Sequence, residues 1–228
     1  MPTLTQIFPE YDVDAVLRGQ GADPQVIRGR RPAMVRVAEQ ALAEAAALVE
    51  PAVYYRQFAV QGVRHESLLL EGGHKLTGKL VAQQLAGAER LYVILCTIGS
   101  SVEQYSAELW SDSASYSLAV DGVGSAAVEA LANAACRYFE EQAAGLGWQT
   151  SVPLSPGMVD WPIDVGQPQI FELLQDEQQA VSLTPSCIML PKKTLTMVLG
   201  AGPELSSAGR TCDFCNLRDV CRYQAHYS

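Results

Sequence analysis

The sequence predicts an α+β fold, in which a twisted, mainly antiparallel sheet is packed with helices and followed by a cysteine-rich tail. Three observations predict this class. Apolar residues recur at three- and four-residue steps over 32–49, which is the period of a helix. Two strand-like runs, 53–60 and 63–70, are separated by Gly62, which is typical of an antiparallel hairpin. The continuous apolar run 91–97 is typical of a buried strand.

The helices have recognisable boundaries. Pro32 suits the first turn of the first strong helix. Ser100 with Glu103 three residues later is a capping-box pattern and predicts a helix that runs to about Trp110. The strongest helix is predicted over 121–145, because apolar positions form a stripe that ends at a glycine.

The C-terminal third continues this alternation. A short helix is predicted over 168–178, and the last strand over 194–200. The segment 200–209 is rich in glycine, serine and alanine and reads as a linker. We therefore expect one domain over 1–205, whose first part, 1–52, is mainly helical. A cysteine-rich metal-binding tail is expected over 206–228.

Composition excludes several functional classes. The net charge of −9 argues against a nucleic-acid partner, which requires clustered lysine and arginine. The longest strongly apolar run, 91–98, is too short to span a bilayer, and the first twenty residues lack the pattern of a signal peptide. We expect a cytoplasmic protein without a membrane partner, whose six cysteines are reduced thiols or metal ligands. No arrangement of catalytic residues typical of a hydrolase or an acid–base enzyme is present.

Two proline-bracketed loops flank the short helix near the C-terminus. The first, S-P-G-M-V-D-W-P, covers 155–162, and the second, L-T-P-S-C-I-M-L-P-K-K, covers 183–193. Proline fixes φ and disfavours helix at the residue before it, so both loops are predicted to be rigid. Rigid loops of this kind are suited to presenting backbone groups to a ligand.

The tail carries a cysteine pattern with metal-ligand spacing. Cys212 and Cys215 form a C-x2-C pair, whose two thiolates can converge on one metal, and Cys221 adds a third ligand. For an iron–sulfur cluster the fourth ligand is expected to be Cys187, in the second loop. For zinc it is expected to be His226, which completes a Cys3His set. The spacing does not separate these two metals, and unliganded thiols are the third reading.

These segments also resemble a known family. The first loop, the second loop, the C-T-I-G segment at 96–99 and the D-G-V-G-S-A-A-V-E-A-L segment at 121–131 resemble the activation domain of cobalamin-dependent methionine synthase. The free-standing relatives of that domain, which end in cysteine-rich segments, are still more similar. The likeness covers about residues 75–200 and implies the fold of the activation domain.

The resemblance also implies a ligand loop, with departures. The family's R-x-x-P-G-Y motif places its Pro-Gly pair on Pro156 and Gly157, so Ser155 to Met158 are the expected cofactor-binding residues. The family arginine falls on Pro153 and its tyrosine on Met158. Proline cannot pair with a methionine carboxylate as a guanidinium does. The resemblance therefore implies binding of S-adenosylmethionine only through altered contacts.

Together, resemblance and cysteines indicate an accessory protein of a corrinoid-dependent methyl-transfer system. Such a protein would dock on a cobalamin-binding partner and assist its reductive activation, with an iron–sulfur cluster in the tail. The alternatives are a non-redox binding module with a structural zinc site, and an S-adenosylmethionine-binding protein with altered contacts.

Overall fold

A computed structural model of the chain describes residues 3–4, 6–174, 180–205 and 209–221. The predicted α+β class is correct. One sheet contains seven strands, every pairing in it is antiparallel, and helices cover both of its faces. The strands are β1 (Thr3–Leu4), β2 (Ala52–Arg64), β3 (Ser67–Leu70), β4 (Lys75–Thr77), β5 (Arg90–Thr97), β6 (Gln149–Thr150) and β9 (Thr194–Gly202), and a separate hairpin pairs β7 (Ser182–Leu183) with β8 (Met189–Leu190).

The helices lie between these strands and vary widely in length. They are α1 (Val13–Gly19), α2 (Pro24–Arg30), α3 (Pro32–Ala45), α4 (Lys79–Gln84), α5 (Ser101–Leu109), α6 (Ala114–Ala144) and α7 (Ile163–Leu174), with short 3-10 turns at Ala46–Leu48, Glu71–Gly73 and Thr211–Phe214. Within the described ranges, no helix is both long and apolar enough to cross a membrane.

The sheet has the order β4-β3-β2-β5-β9-β6, with β1 paired to β2. Strand β5 lies between β2 and β9, and its residues from Leu91 onward are buried. Because successive side chains of a strand point to opposite faces of the sheet, β5 contributes residues to two hydrophobic cores. Tyr92 and Ile94 pack under α1, α3 and α6, whereas Leu91 and Val93 pack under α4 and α7.

The first hairpin turns later than predicted. Strand β2 continues through Gly62 to Arg64, and the turn lies between β2 and β3, where His65 has a φ of 54°. The register shifts between Val60 and Gly62, and Gly62 has a φ of 135°. Gly62 lies at a β-bulge in this strand, where the backbone adopts a conformation that glycine accommodates easily.

The predicted capping box is also wrong, although the helix is present. Ser100 makes no side-chain cap hydrogen bond to α5. Glu103 instead accepts a hydrogen bond from the Lys192 backbone at 3.0 Å and pairs with the Lys192 ammonium at 3.0 Å. Lys192, which is distant in sequence, therefore binds the Glu103 carboxylate that the capping-box pattern assigned to the start of α5.

Two helices begin earlier than predicted. Helix α6 starts at Ala114, seven residues before Asp121, and α7 starts at Ile163, directly after the Trp161-Pro162 pair. Pro168 therefore lies inside α7, where it was expected to start the helix. The predicted end of that helix, 175–178, lies outside the described residues.

Candidate functional site

The first loop closes on itself through backbone hydrogen bonds. The Gly157 amide donates to the Trp161 carbonyl at 2.8 Å, and the Trp161 amide donates to the Met158 carbonyl at 3.1 Å. The Ser155 amide donates to the sulfur of Met158 at 3.3 Å. Gly157 has a φ of 96°, a conformation for which glycine is suited because it carries no Cβ. The four expected cofactor-binding residues, Ser155 to Met158, are thus held in one fixed turn.

Trp161 anchors this turn in the core below α7. Its side chain is fully buried, and its indole nitrogen has no hydrogen-bond partner within the described residues. Two glycines make room for the ring. A Cβ added at Gly78 would lie 2.5 Å from the indole Cδ1, and a Cβ added at Gly166 would lie 2.6 Å from Nε1. The loop is therefore positioned by one aromatic side chain that fits between two backbones.

Adding one methyl group at Gly166 tests this fit. Real Cβ contacts are essentially never this short, so Gly166→Ala is expected to displace the indole and to lower the free energy of unfolding by about 1–3 kcal/mol. Urea denaturation measures the change. The matched control is Gly145→Ala at the end of α6, where the nearest atom would be 3.5 Å away and φ is −60°. A Gly166→Ala protein as stable as the control would contradict the tight fit.

The cysteine tail docks on the same loop. The Val159 amide donates to the Phe214 carbonyl at 2.9 Å, and the Asn216 amide nitrogen donates to the Gly157 carbonyl at 3.0 Å. The Phe214 side chain is half-buried and packs against the core that contains Trp161. The tail is therefore seated on the candidate ligand loop through Phe214, which lies between Cys212 and Cys215 in sequence, and through Asn216, which follows Cys215. Sequence reasoning missed both Phe214 and Asn216, because no local pattern indicates a contact across more than fifty residues.

The docking can be measured at one amide. Because the Val159 amide bonds to the tail, its hydrogen exchange should report tail release. Replacing Asn216 with alanine removes one hydrogen bond, worth about 1 kcal/mol, and is expected to speed Val159 exchange about fivefold. Arg218→Ala is the control, since Arg218 lies on the same tail and its ion pair is with the adjacent Asp219. Equal exchange in the two variants would show that Asn216 does not hold the tail.

The C-x2-C pair lies on a tight turn. Cys212 is in the 3-10 turn, the Cys215 amide donates to the Cys212 carbonyl at 3.2 Å, and the Leu217 amide donates to the Cys215 sulfur at 3.4 Å. Two thiols on one tight turn can converge on a single metal ion. The turn thus has features suited to two metal ligands.

The structure does not bring the predicted metal ligands together into one complete site among the residues that it describes. Over the described ranges, no group of three or more histidine, cysteine or acidic residues is arranged to hold a metal ion. Cys221 is half-buried near the end of the described tail. Cys187 is half-buried at the tip of the β7–β8 hairpin with a φ of 61°. His226 lies outside the described residues. The structure therefore places two thiols, Cys212 and Cys215, on one turn. Ligation by a third and a fourth residue stays a prediction.

The second loop is tied to α5 and α6 by its two lysines. Besides the Lys192–Glu103 pair, the Lys193 ammonium lies 2.8 Å from the Asp121 carboxylate and 2.9 Å from the Ser125 hydroxyl. A Cβ added at Gly124 would lie 3.2 Å from the Lys193 side chain. Asp121, Gly124 and Ser125 of the D-G-V-G-S segment receive this lysine, so two separate motifs form one contact.

The other two cysteines, Cys96 and Cys136, are buried core thiols. Burial raises the pKa of Cys96 well above its ordinary value, and burial raises the pKa of Cys136 to about 12. The Cys136 thiol lies 3.3 Å from the sulfur of Met197. These thiols stay protonated in the folded chain and are not metal ligands.

The raised pKa of Cys136 has a consequence for stability. Its thiol is protonated in the folded chain up to about pH 12 and titrates earlier in the unfolded chain, near 8.5. Its contribution is therefore complete below about pH 8.5 and is lost as the pH rises toward 12, by at most about 1.4 kcal/mol per pH unit. Urea denaturation measures the free energy of unfolding at pH 8 and at pH 10. The decrease between these two pH values should be smaller for Cys136→Ala than for the unaltered chain. Equal losses would contradict the shift.

A cleft opens between α6, the segment around β6 and the start of the tail. Its volume is about 650 Å³. Pro153, where the family arginine would fall, is in its wall. Most of the lining residues are polar or charged. The lining consists of Asn133, Cys136, Arg137, Glu140, Trp148, Gln149, Thr150, Ser151, Val152, Pro153, Gly209, Arg210 and Thr211.

A second cleft, of about 540 Å³, borders the same helix nearer to its N-terminal end. It is bounded by α1 and the segment before it, and it shares Asn133 and Arg137 of α6 with the first cleft. Tyr11 lines it, and burial raises the pKa of that phenol. Arg137 and Arg210 had no signal in the sequence, because isolated arginines on a helix and a tail are most often solvated.

Comparison with known proteins agrees with the fold. No protein-family model matches the chain, and no curated protein does. Among solved structures, the crystal structure of the MetH reactivation domain bound to AdoHcy matches with a TM-score of 0.65 at 14% sequence identity. The match covers 90% of this chain and 79% of that one. The chain therefore has the fold of the MetH reactivation domain.

Proposed function

We propose that this protein is an accessory protein of a corrinoid-dependent methyl-transfer system, which docks on a cobalamin-binding protein and assists its reductive activation. The observation that carries the proposal is the seating of the tail. Two hydrogen bonds, from Val159 and from Asn216, hold the C-x2-C turn against the Ser155–Met158 loop. The fold likeness to a reactivation domain supplies the kind of partner. A cobalamin methyl carrier needs the Co(I) state and has to be returned to it after oxidation.

The surface around the loop supports docking. Val159 and Ile163 on the loop side and Leu217 on the tail are large apolar side chains that are 41%, 49% and 62% exposed. Exposed apolar groups that lie beside a functional loop are typical of protein interaction sites. A partner that covers them would bury the loop and the C-x2-C turn together. The structural role of the chain's own residues is thus to present one loop and one thiol turn on a single face.

For the tail we propose a metal held by Cys212, Cys215 and Cys221. An iron–sulfur cluster would supply one-electron chemistry and take Cys187 as its fourth ligand, whereas zinc would take His226 and fasten the tail. The Leu217 amide directed at the Cys215 sulfur supports ligation by this turn. Either metal requires that Cys221 and a fourth ligand join the turn, since no group of three donors is assembled in the part of the chain that the structure describes.

Metal analysis after anaerobic purification tests the proposal. We expect iron with acid-labile sulfide and a broad visible absorbance, together with retention of a cobalamin-binding protein on the immobilised chain. Zinc alone with no corrinoid partner would favour the alternative, a non-redox binding module with a structural zinc site. Neither metal nor corrinoid binding would refute both the cluster and the partner.

A second candidate function is binding of an S-adenosylmethionine-type ligand through altered contacts. The specific observation is the 650 Å³ cleft, which has Pro153, two residues before the first loop, in its wall. Clefts of this size hold small molecules of that class. Calorimetric titration with S-adenosylmethionine and S-adenosylhomocysteine tests it directly, and absence of heat with both would remove this candidate.

A further inference from the structure

The cleft between α6 and the tail carries two guanidinium groups from opposite walls. Arg137 belongs to α6, and Arg210 is the residue directly before the 3-10 turn of the tail. Among the described residues that line the cleft, Glu140 is the one with an acidic side chain. The lining therefore has an excess of positive charge in a chain whose net charge is −9. A cleft with local positive charge on a protein of negative net charge is expected to attract anions.

Neither guanidinium has an ion-pair partner within the ranges that the structure describes. Other arginines in the chain do have one, since Arg28 pairs with Asp14 and Arg218 pairs with Asp219. A guanidinium has a planar set of donors that matches a carboxylate or a phosphate. The polar side chains of Asn133, Thr150 and Thr211 line the same space and add further hydrogen-bonding groups.

We propose that this cleft binds a small molecule bearing a carboxylate or phosphate group between Arg137 and Arg210, and that the bound anion fastens the tail to α6. Arg210 precedes Cys212 by two residues, and its amide bonds to the Asp213 carboxylate at 2.9 Å. A ligand that holds the Arg210 guanidinium therefore restrains the turn that carries Cys212. By linkage, occupancy of the cleft lowers the population of chains whose tail has left its seat.

The test uses metal-free protein, so it does not rest on the proposed metal or on the corrinoid partner. The rate at which iodoacetamide alkylates Cys212 and Cys215 is followed by mass spectrometry, with citrate as the carboxylate probe and inorganic pyrophosphate as the phosphate probe. Sodium chloride matches the ionic strength. At ten times the dissociation constant of a probe, the undocked population and the alkylation rate should fall about tenfold. Cys187, on the β7–β8 hairpin, is the internal control and should react at an unchanged rate.

Three variants make the test specific. Arg137→Gln and Arg210→Gln each remove one wall of the anion site and should abolish the protection, while Arg218→Gln, on the same tail outside the cleft, should retain it. All three side chains are exposed, so the fold should persist, and circular dichroism checks this. Protection by one probe alone identifies which anion the site prefers. No slowing by either probe, equal slowing at Cys187, or undiminished protection in Arg137→Gln would each overturn the proposal.

Discussion

Replacing Trp161 with alanine is expected to lower the free energy of unfolding by about 3–5 kcal/mol, the usual cost of removing a large buried aromatic side chain. The indole is fully buried and lies between the backbones of Gly78 and Gly166. The two glycines in contact with the ring carry no side chain that could move into the space it vacates. The cavity should therefore persist, and the cost should lie in the upper part of this range.

Loss of Trp161 should also disturb the candidate site. Its backbone bonds to Gly157 and Met158 close the first loop, and the tail rests on that loop through Val159. We expect urea denaturation to give the stability change and hydrogen exchange at Val159 to increase in the same variant. The matched control is Trp110→Ala, since Trp110 is 59% exposed and its removal should change stability by less than about 0.5 kcal/mol. A similar effect for both tryptophans would show that the glycine enclosure has no special role.

Replacing Cys212 with serine is expected to lower metal affinity by about 100-fold or more, because even the loss of a supporting contact around a metal costs 10–100-fold. Cys212 opens the C-x2-C turn, and its carbonyl accepts the Cys215 amide, a bond that the serine variant keeps. The expected result is loss of bound iron or zinc with an unchanged fold. Metal analysis of protein purified without oxygen measures the first, and urea denaturation of metal-free protein measures the second.

A companion variant separates the two metals. Cys187→Ser should release the metal if Cys187 is the fourth ligand of a cluster, and should leave it bound if the tail holds zinc through His226. Retention of full metal content in Cys212→Ser would show that the C-x2-C turn is not the binding site.

Part of the fold could be predicted from local pattern. The apolar run in β5 identified the central strand, because a strand covered on both faces needs apolar residues at consecutive positions. The periodicity of α3 identified a helix whose start, Pro32, is correct. The two prolines that bracket the first loop predicted its rigidity, and the closed hydrogen bonding around Gly157 agrees with that expectation.

Local pattern failed where a distant partner competed for a side chain. Ser100 and Glu103 matched a capping box, but Lys192 supplies both a backbone donor and a charge to Glu103. The D-G-V-G-S segment also makes a contact that no local pattern indicated, because Asp121 and Ser125 receive Lys193. In the first case an ion pair across the fold replaced a local contact, and in the second case it added a long-range one.

The sequence by itself determined the sheet-and-helix class, the two rigid loops and the C-x2-C turn, because each depends on residues within a few positions of one another. Only the tertiary structure decided that the tail is seated on the first loop through Phe214 and Asn216, and that Arg137 and Arg210 line one cleft. Contacts of this kind join residues more than fifty positions apart, and chain closure over such distances is set by packing of the whole core. No local periodicity or spacing carries that information.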